Sequence, residues 1–415
     1  MHRFTALLLA FGIGLPLLSG IYFTGLVAGW PFEICIGILL LTLSGLLLDL
    51  RRLWLADNQP IPSPGVTRAA LLFLLLAAVG CGLRARAYGD WDAALIWNLH
   101  ARYLTTPDWK RIFQPGISGN NAYPFGLPGA VAFGWRLWGS FTPVVPFLIA
   151  LLPTLSIPVV VLLQTGIPTL KRLLLIGLSF LTYRYYFALG LTQYADIQIA
   201  ALLLLLFVVA DRLRQTGIKG YWMVMGLLCG ALAWTKVEGA LLAGWFLLFH
   251  LFYFPKSLAG LGKLLAGISP FAFFWILFKA QGAPPSPLWI SPSIILEHAT
   301  DGQRMQHVGH YFLQVVLAEH FRLLVLLALL FGWRPKGFSP GGWFFFAAMA
   351  SYFLIYWLLV TTALDWNIFT SLPRLLLQLY PSLVFLTARA IGPPASPTNH
   401  RFAGSAQSGR DGCGR

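Results

Sequence analysis

Long apolar runs alternate with short polar loops along the whole chain. The runs are close to the length that an α-helix needs to cross a bilayer. They predict membrane-spanning helices at roughly 5–29, 31–49, 69–86, 143–165, 173–190, 197–210, 221–235, 240–254, 264–281, 311–331, 342–362 and 375–391. The predicted fold class is therefore all-α, a polytopic transmembrane bundle of about twelve spans.

Two of the predicted loops are long. The first, 87–142, contains an apolar but short, glycine-containing segment at 125–139, which we expect to be an interfacial or re-entrant helix rather than a span. The second covers 283–310. Residues 1–392 form one predicted membrane domain, and the Gly-, Ser- and Arg-rich residues 393–415 predict a disordered cytoplasmic tail.

Charge then orients the bundle. Basic residues concentrate in the loops that we place inside, with both chain ends cytoplasmic. The chain has only 14 Asp and Glu residues in 415. Eight of them fall in outer loops or at outer helix ends: Asp90, Asp92, Asp108, Asp196, Glu238, Glu297, Asp301 and Asp365. We therefore expect any chemistry to lie at the outer end.

The composition narrows the class of protein further. The chain is 58% hydrophobic and 10% charged, which no soluble domain of this length needs. Its net charge of +15 is spread over short loops, which favours membrane orientation and anionic-lipid contact over nucleic-acid binding. The four widely spaced cysteines form no CxxC pair, so neither a disulfide framework nor a zinc–thiolate site is predicted.

Asp90 and Asp92 directly follow the third predicted span. A helix beginning near Asp92 would share one stripe with Ile96, Leu99 and Tyr103 and would lie in the membrane interface. One carboxylate could act as a general base while the other orients the acceptor or binds a cation. Because Asp92 also suits a helix N-cap, Asp90 is the favoured functional residue.

Four more outer charges have both functional and structural interpretations. Asp196 opens a predicted span and could simply cap it. Lys236 and Glu238 could form a mutual pair, or could bind a phosphate and a sugar hydroxyl respectively. Arg374 opens the last predicted span and needs an anionic partner, such as Asp365 or a lipid phosphate.

The remaining candidates are weaker. Arginine forks suit phosphate oxygens, but ordinary snorkelling to headgroups is the alternative for the outer residues Arg84, Arg86 and Arg102. The outer loop also holds His298, His307 and His310 near Glu297 and Asp301, without a complete metal motif. His307 and His310 have i,i+3 spacing and could share a divalent ion, but the sequence does not indicate a metal site or a cofactor.

The order of these motifs is similar to that of a known family. After the Asp pair come Tyr123-Pro124, Tyr194-Ala195-Asp196, Thr235-Lys236-x-Glu238-Gly239 and Arg374-Leu-Leu-Leu-Gln-Leu-x-Pro381. Over about residues 85–385 the chain resembles the GT-C-fold membrane glycosyltransferases, especially bacterial relatives of the protein O-mannosyltransferases and of the lipid A aminoarabinose transferases.

This resemblance implies a site and a reaction. It implies a catalytic base at Asp90 or Asp92, a second acidic motif at Asp196, and basic residues near a lipid phosphate at Lys236 and Arg374. The implied donor is a polyprenyl-phosphate sugar, attacked with inversion at the outer face of a bacterial cytoplasmic membrane. The candidate substrate- and phosphate-binding residues are Arg84, Arg86, Arg102, Tyr123, Lys236, Glu238 and Arg374.

Our leading hypothesis is a glycosyltransferase that moves the sugar to a glycan, lipid or protein acceptor. Its partners would be the lipid-linked donor, that acceptor and membrane lipids, with no nucleic acid. The alternative is a transporter or flippase of a lipid-linked or anionic sugar, which predicts charges near mid-membrane. A scaffold without chemistry leaves the outer carboxylates unexplained.

Overall fold

The computed structural model describes residues 3–56, 64–84, 86–118, 120–165, 171, 174, 177–181, 183–251, 258–285, 290–332, 340–361 and 363–391. Helices dominate these ranges, and no strand occurs in them. The all-α prediction is therefore confirmed. The predicted tail at 393–415 lies outside the described residues.

Fifteen α-helices lie wholly within the described ranges. They are α1 (Arg3–Ala28), α2 (Phe32–Ala56), α3 (Pro64–Arg84), α4 (Asn98–Leu104), α5 (Gly126–Trp138), α6 (Val144–Gln164), α7 (Arg184–Gly190), α8 (Asp196–Thr216), α9 (Tyr221–Thr235), α10 (Val237–Leu251), α11 (Leu258–Ala280), α12 (Pro292–Thr300), α13 (Gly302–Gly332), α14 (Pro340–Leu354) and α15 (Leu364–Ile391). Single π-helical turns occupy Ala93–Trp97, Gly177–Leu181 and Ile355–Leu359, and a 3₁₀ turn occupies Trp109–Phe113.

Several of these helices have the length and composition of membrane spans. Within the described ranges there are seven such segments: Phe4–Ala28, Phe32–Leu53, Pro64–Leu83, Val144–Gln164, Leu258–Ala280, Gly341–Leu359 and Leu364–Ala390. The chain thus has the features of an integral membrane protein. The prediction of about twelve spans stays a prediction.

Helix α8 lies at the centre of the bundle. Every residue from Asp196 to Ala210 is buried, and α15, α9 and α6 pack around it. A helix that is apolar on all sides either is covered by other elements or faces lipid. Helix α8 is of the first kind, because its neighbours bury its run of Leu, Val and Ile.

Two ion pairs fix the register between α8 and α15. Asp196 meets Arg374 at one end, and Asp211 Oδ2 lies 3.1 Å from Arg389 Nη2 at the other. The same number of residues separates the two aspartates and the two arginines, so the helices run parallel. One polar layer therefore lies at each end of an apolar interface.

Helices α9 and α10 form a hairpin with Lys236 as the single residue between them. The Lys236 backbone is extended, with φ −162° and ψ 153°. Gly239 allows the tight return, because a Cβ there would lie 2.1 Å from the Leu232 carbonyl oxygen. The hairpin fixes the position of the Lys236 side chain.

The first long loop folds onto α1. Tyr22 of α1 donates a hydrogen bond to the Leu104 carbonyl at 2.8 Å, and Ser19 donates to the Phe125 carbonyl. His100 is fully buried, with Nε2 3.1 Å from Ser118 Oγ. Burial disfavours the charged imidazolium and lowers the pKa of His100 to about 3.

Two of the predicted spans differ from the helices in the structure. The predicted span 173–190 is wrong as one helix, because Tyr183 has a β-region backbone between the π turn and α7. The last helix begins at Leu364 rather than 375, because Pro373 is accommodated inside it. Arg374 therefore lies within the helix and does not open it.

The helix predicted to begin near Asp92 contains a π turn at Ala93–Trp97, which the sequence did not indicate. Leu99 and Tyr103 of the predicted stripe are half-buried, whereas Trp97 and His100 are fully buried. The interfacial position of the stripe stays a prediction.

Gly239→Ala should destabilise the hairpin, since the added methyl group meets backbone that has no room to move. We expect a loss of about 1–3 kcal/mol in the free energy of unfolding, measured by thermal or SDS unfolding in micelles. Gly244→Ala is the matched control, because a Cβ at Gly244 of the same helix meets no atom within 4 Å. Equal stability of the two variants would contradict the hairpin geometry.

The burial of His100 predicts that the folded state loses stability in acid. The pKa of His100 in the folded state lies below the unfolded value of about 6.5, so the unfolded chain binds the extra proton first. The contribution is fully present above pH 6.5 and is lost as the pH falls toward 3. Between pH 7.5 and 4.5 the wild type should lose about 2 kcal/mol more than His100→Gln. Unfolding in micelles measures this loss, and His310→Gln, at an exposed ring, should behave like the wild type.

Candidate functional site

Five charged side chains meet at the end of the bundle where α8 begins. We call Asp92, Asp196, Lys236, Glu238 and Arg374 the charge cluster. They come from the first long loop, α8, the hairpin and α15, so distant parts of the chain converge here. All five are among the residues that the sequence singled out.

Asp196 is the centre of the cluster. Its Oδ1 accepts from Lys236 Nζ at 3.0 Å and from Gln378 Nε2 at 2.6 Å, while its Oδ2 accepts from Arg374 Nε at 3.1 Å. Only 1% of the side chain is exposed. A carboxylate with both oxygens engaged and no access to solvent suits an anchoring role better than proton transfer.

Lys236 links Asp196 to Glu238. Its Nζ lies 3.1 Å from Glu238 Oε1 as well as 3.0 Å from Asp196 Oδ1, so the expected Lys236–Glu238 pair exists but is not closed on itself. Tyr123 completes this side: its hydroxyl lies 3.5 Å from Glu238 Oε1, and its ring centroid lies 5.6 Å from Lys236 Nζ. Glu238 Oε2 is buried and makes no hydrogen bond to a described residue.

Arg374 bridges the loop and the bundle. Its Nη1 contacts Asp92 Oδ2 at 2.5 Å while its Nε holds Asp196. The guanidinium also lies over the Tyr194 ring, 4.3 Å from the centroid, in a cation–π contact. The expected partner Asp365 is thus replaced by two other carboxylates of the protein, and Asp365 instead lies 2.6 Å from His307 Nε2.

Asp92 forms the accessible edge of the charge cluster. Its carboxylate makes no cap bond to the following helix, so the capping interpretation is wrong. A quarter of the side chain (25%) is exposed. Asp92 Oδ1 and Arg374 Nη2 make no hydrogen bond within the described part of the chain. An acceptor atom and a donor atom are therefore available side by side.

Tyr194 supports this edge. Its hydroxyl accepts a hydrogen bond from the Asp92 backbone N–H at 3.4 Å. Burial, with the nearby Asp92 carboxylate, raises the pKa of Tyr194 to about 12. The phenol therefore remains neutral and can face both Asp92 and the Arg374 guanidinium without adding charge.

Asp90 lies beside the charge cluster and outside it. Its Oδ2 is 2.9 Å from Arg86 Nη1, and 43% of its side chain is exposed. The turn just before Asp90 is fixed by Gly89, at φ +74°, and by the hydrogen bond from the Asp90 N–H to the Thr192 carbonyl. The turn aims the two aspartates differently: Asp92 enters the cluster, and Asp90 pairs with Arg86 near solvent.

Neither Arg86 nor Arg102 joins the charge cluster. Arg102 is exposed and lies over the Phe141 ring at 5.8 Å. Arg84 is the last residue of α3, and its side chain lies outside the described part. Among the described residues, no group of three or more His, Cys, Asp or Glu side chains is placed to hold a metal ion.

Sequence reasoning missed two supporting residues. Gln378 orients Asp196 and is itself held by the Tyr352 hydroxyl, 3.2 Å from Gln378 Oε1. Its signal was present, because a residue four positions after Arg374 lies on the same face of a helix. Tyr194 lies in the Tyr-Ala-Asp motif, but an aromatic ring beneath a guanidinium has no signature in sequence.

The charge cluster combines an accessible carboxylate with two fixed cations. Three carboxylates face two cations, so each cation is shared, and removing one partner leaves a buried charge uncompensated. Such an arrangement can accept a proton at Asp92 and can place positive charge opposite a developing anion.

Asp196→Asn and Lys236→Met should each cost about 3–5 kcal/mol of unfolding free energy, because each leaves a buried charge without its partner. The double variant should cost less than the sum by at least about 1 kcal/mol. SDS unfolding measures all three variants. The control cycle is the exposed pair Asp49–Arg52, 3.2 Å apart, where coupling should stay below about 1 kcal/mol. Additive losses at Asp196 and Lys236 would contradict the shared-charge arrangement.

Comparison of the chain with models of protein families, with curated proteins and with solved structures finds no match. The chemistry of the charge cluster must therefore carry the functional inference.

Proposed function

We propose that the chain is an integral membrane glycosyltransferase that uses a polyprenyl-phosphate-linked sugar as donor. The observation that carries the proposal is the open Asp92 carboxylate held directly against the Arg374 guanidinium at the edge of a buried charge cluster. Glycosyl transfer from a lipid phosphate requires a base for the acceptor and a cation for the departing phosphate. The charge cluster supplies both groups in contact.

The proposed reaction is a single displacement with inversion. The acceptor hydroxyl gives its proton to Asp92 while its oxygen forms a bond to the anomeric carbon. The bond between that carbon and the phosphate oxygen breaks, and its electron pair leaves with the polyprenyl phosphate. The positive charge of Arg374 stabilises the leaving phosphate, and Asp196 holds Arg374 and Lys236 in position.

Of the two aspartates in the first loop, Asp92 is the better base. Asp92 is partly shielded from solvent and lies beside the cation that the leaving group needs. Asp90 is more exposed and pairs with Arg86. Glu238 and Tyr123 would contact the sugar hydroxyls. Arg86 and Arg102, both exposed, and Arg84 would contact lipid headgroups or the donor phosphate.

The membrane arrangement is part of the proposal. About twelve spans, with both ends cytoplasmic, place the charge cluster at the outer face of a bacterial cytoplasmic membrane. Buried α8 and the shorter apolar α9 and α10 would cross the membrane inside the bundle, in addition to the seven long apolar segments. The fold would then be GT-C-like, with the first long loop bearing the base.

One observation favours the transporter alternative. Arg374 lies inside the segment Leu364–Ala390, so a charge sits within a candidate span, as expected along a substrate path. A cysteine-accessibility scan around Asp196 and Lys236 separates the two functions. Alternating exposure to inner and outer reagents would favour transport, and exposure from one side alone favours the enzyme.

The direct test is transfer of radiolabelled sugar from polyprenyl-phosphate donors in membranes that contain the wild type or a variant. Asp92→Asn should lower transfer at least about a hundredfold, because the acceptor proton then has no base. Asp90→Asn should cause a smaller loss. Asp108→Asn, at an exposed residue of the same loop, is the matched control for expression and insertion. Wild-type transfer that survives in Asp92→Asn would overturn the assignment of the base.

A further inference from the structure

We propose that Arg374 is an exchange site, at which the phosphate group of a prenyl phosphate displaces Asp92 and so releases the base. This inference rests on the proposed function and adds how donor binding controls the base. In the structure Arg374 Nη1 is occupied by the Asp92 carboxylate.

The contacts of Arg374 divide into a permanent and an exchangeable part. The Nε bond to Asp196 is buried, and the Tyr194 ring supports the guanidinium from below. The Nη1 bond to Asp92 lies at the exposed edge, and Nη2 has no partner among the described residues. Nη1 and Nη2 together match two oxygens of a phosphate, whereas Asp92 contacts Nη1 alone.

Asp92 can leave without unfolding its segment. Its side chain is partly exposed, and its backbone is held independently by the bond from its N–H to the Tyr194 hydroxyl. Rotation about the side-chain bonds is enough to move the carboxylate outward. Arg374 then exchanges one anion for another, so its charge is never left uncompensated.

The exchange frees Asp92 to act as the base. In the structure its Oδ2 is bound to Arg374 Nη1, and an oxygen that is bound to a cation is not available to an acceptor hydroxyl. When phosphate takes Nη1, Asp92 loses its cation and gains a negative neighbour. The carboxylate becomes ready for the acceptor proton only when the donor is bound.

The surroundings favour a lipid phosphate over a free one. Arg374 lies on a candidate membrane span, and the exposed Trp91 directly precedes Asp92. An exposed Trp beside such a span is typical of the headgroup depth of a bilayer, where a prenyl phosphate presents its charge.

The first experiment measures the affinity of the purified full chain in micelles for farnesyl phosphate. Asp92→Asn removes the competing charge, so it should bind farnesyl phosphate roughly ten- to hundredfold more tightly than the wild type. Asp108→Asn, the matched exposed aspartate, should bind like the wild type. Equal or weaker binding by Asp92→Asn would overturn the exchange.

The second experiment needs no variant, so it decides the matter if Asp92→Asn fails to fold. Carbodiimide and an amine label exposed carboxylates, and mass spectrometry locates the label on the wild type. Farnesyl phosphate should raise labelling of Asp92 severalfold and leave Asp108 unchanged. No increase at Asp92 under saturating farnesyl phosphate would refute the exchange.

Inorganic phosphate tests whether the group that displaces Asp92 is a free phosphate rather than a lipid phosphate. We expect it to raise Asp92 labelling only at much higher concentration than farnesyl phosphate, and equal potency would overturn the lipid part of the proposal. If the wild type transfers sugar but farnesyl phosphate does not raise the labelling of Asp92, the exchange is wrong and the proposed function stands. Tight binding of farnesyl phosphate by Asp92→Asn, together with no sugar transfer by the wild type from any polyprenyl-phosphate donor, would support the exchange site and remove the proposed function.

Discussion

The buried Asp196 carboxylate is the constraint on which the site depends. It compensates Lys236 and Arg374 together, and each of these cations is shared with a second carboxylate, Glu238 or Asp92. Burying an ion costs several kcal/mol unless it is paired, so none of these side chains can be placed without the others. The hairpin, α15 and the first long loop are therefore tied to the start of α8 by charge as well as by packing.

This constraint also explains why a core helix carries charges at both of its ends. The apolar faces of α8 are covered by neighbouring helices, and its polar ends meet α15 through Asp196–Arg374 and Asp211–Arg389. The parallel register brings Gln378 onto Asp196 as well. A rigid frame then supports one mobile partner, Asp92, at the solvent edge. Fixed cations beside a movable carboxylate suit a reaction in which one group must stay in place while another accepts a proton.

Much of this arrangement follows from sequence, because apolar length and charge position are local properties. The runs predicted the helices, including α9 with the observed bounds, and the acidic positions pointed to the end where Asp92, Asp196 and Glu238 meet. Long-range geometry could not be predicted in the same way. Asp90 and Asp92 are the same residue type, two positions apart. Only the turn at Gly89 and the π turn that follows decide which of them reaches Arg374. The apolar run likewise placed the start of the last span next to Arg374, although α15 begins at Leu364 and contains Pro373.

In the proposed exchange a lipid phosphate and Asp92 compete for the same arginine. The decisive measurement is a structure of the full chain with farnesyl phosphate in a lipid nanodisc. We expect phosphate oxygens within hydrogen-bond distance of Arg374, the Arg374–Asp196 contact preserved, and the Asp92 carboxylate turned away. A phosphate bound elsewhere, with the Arg374–Asp92 pair intact, would rule out the exchange.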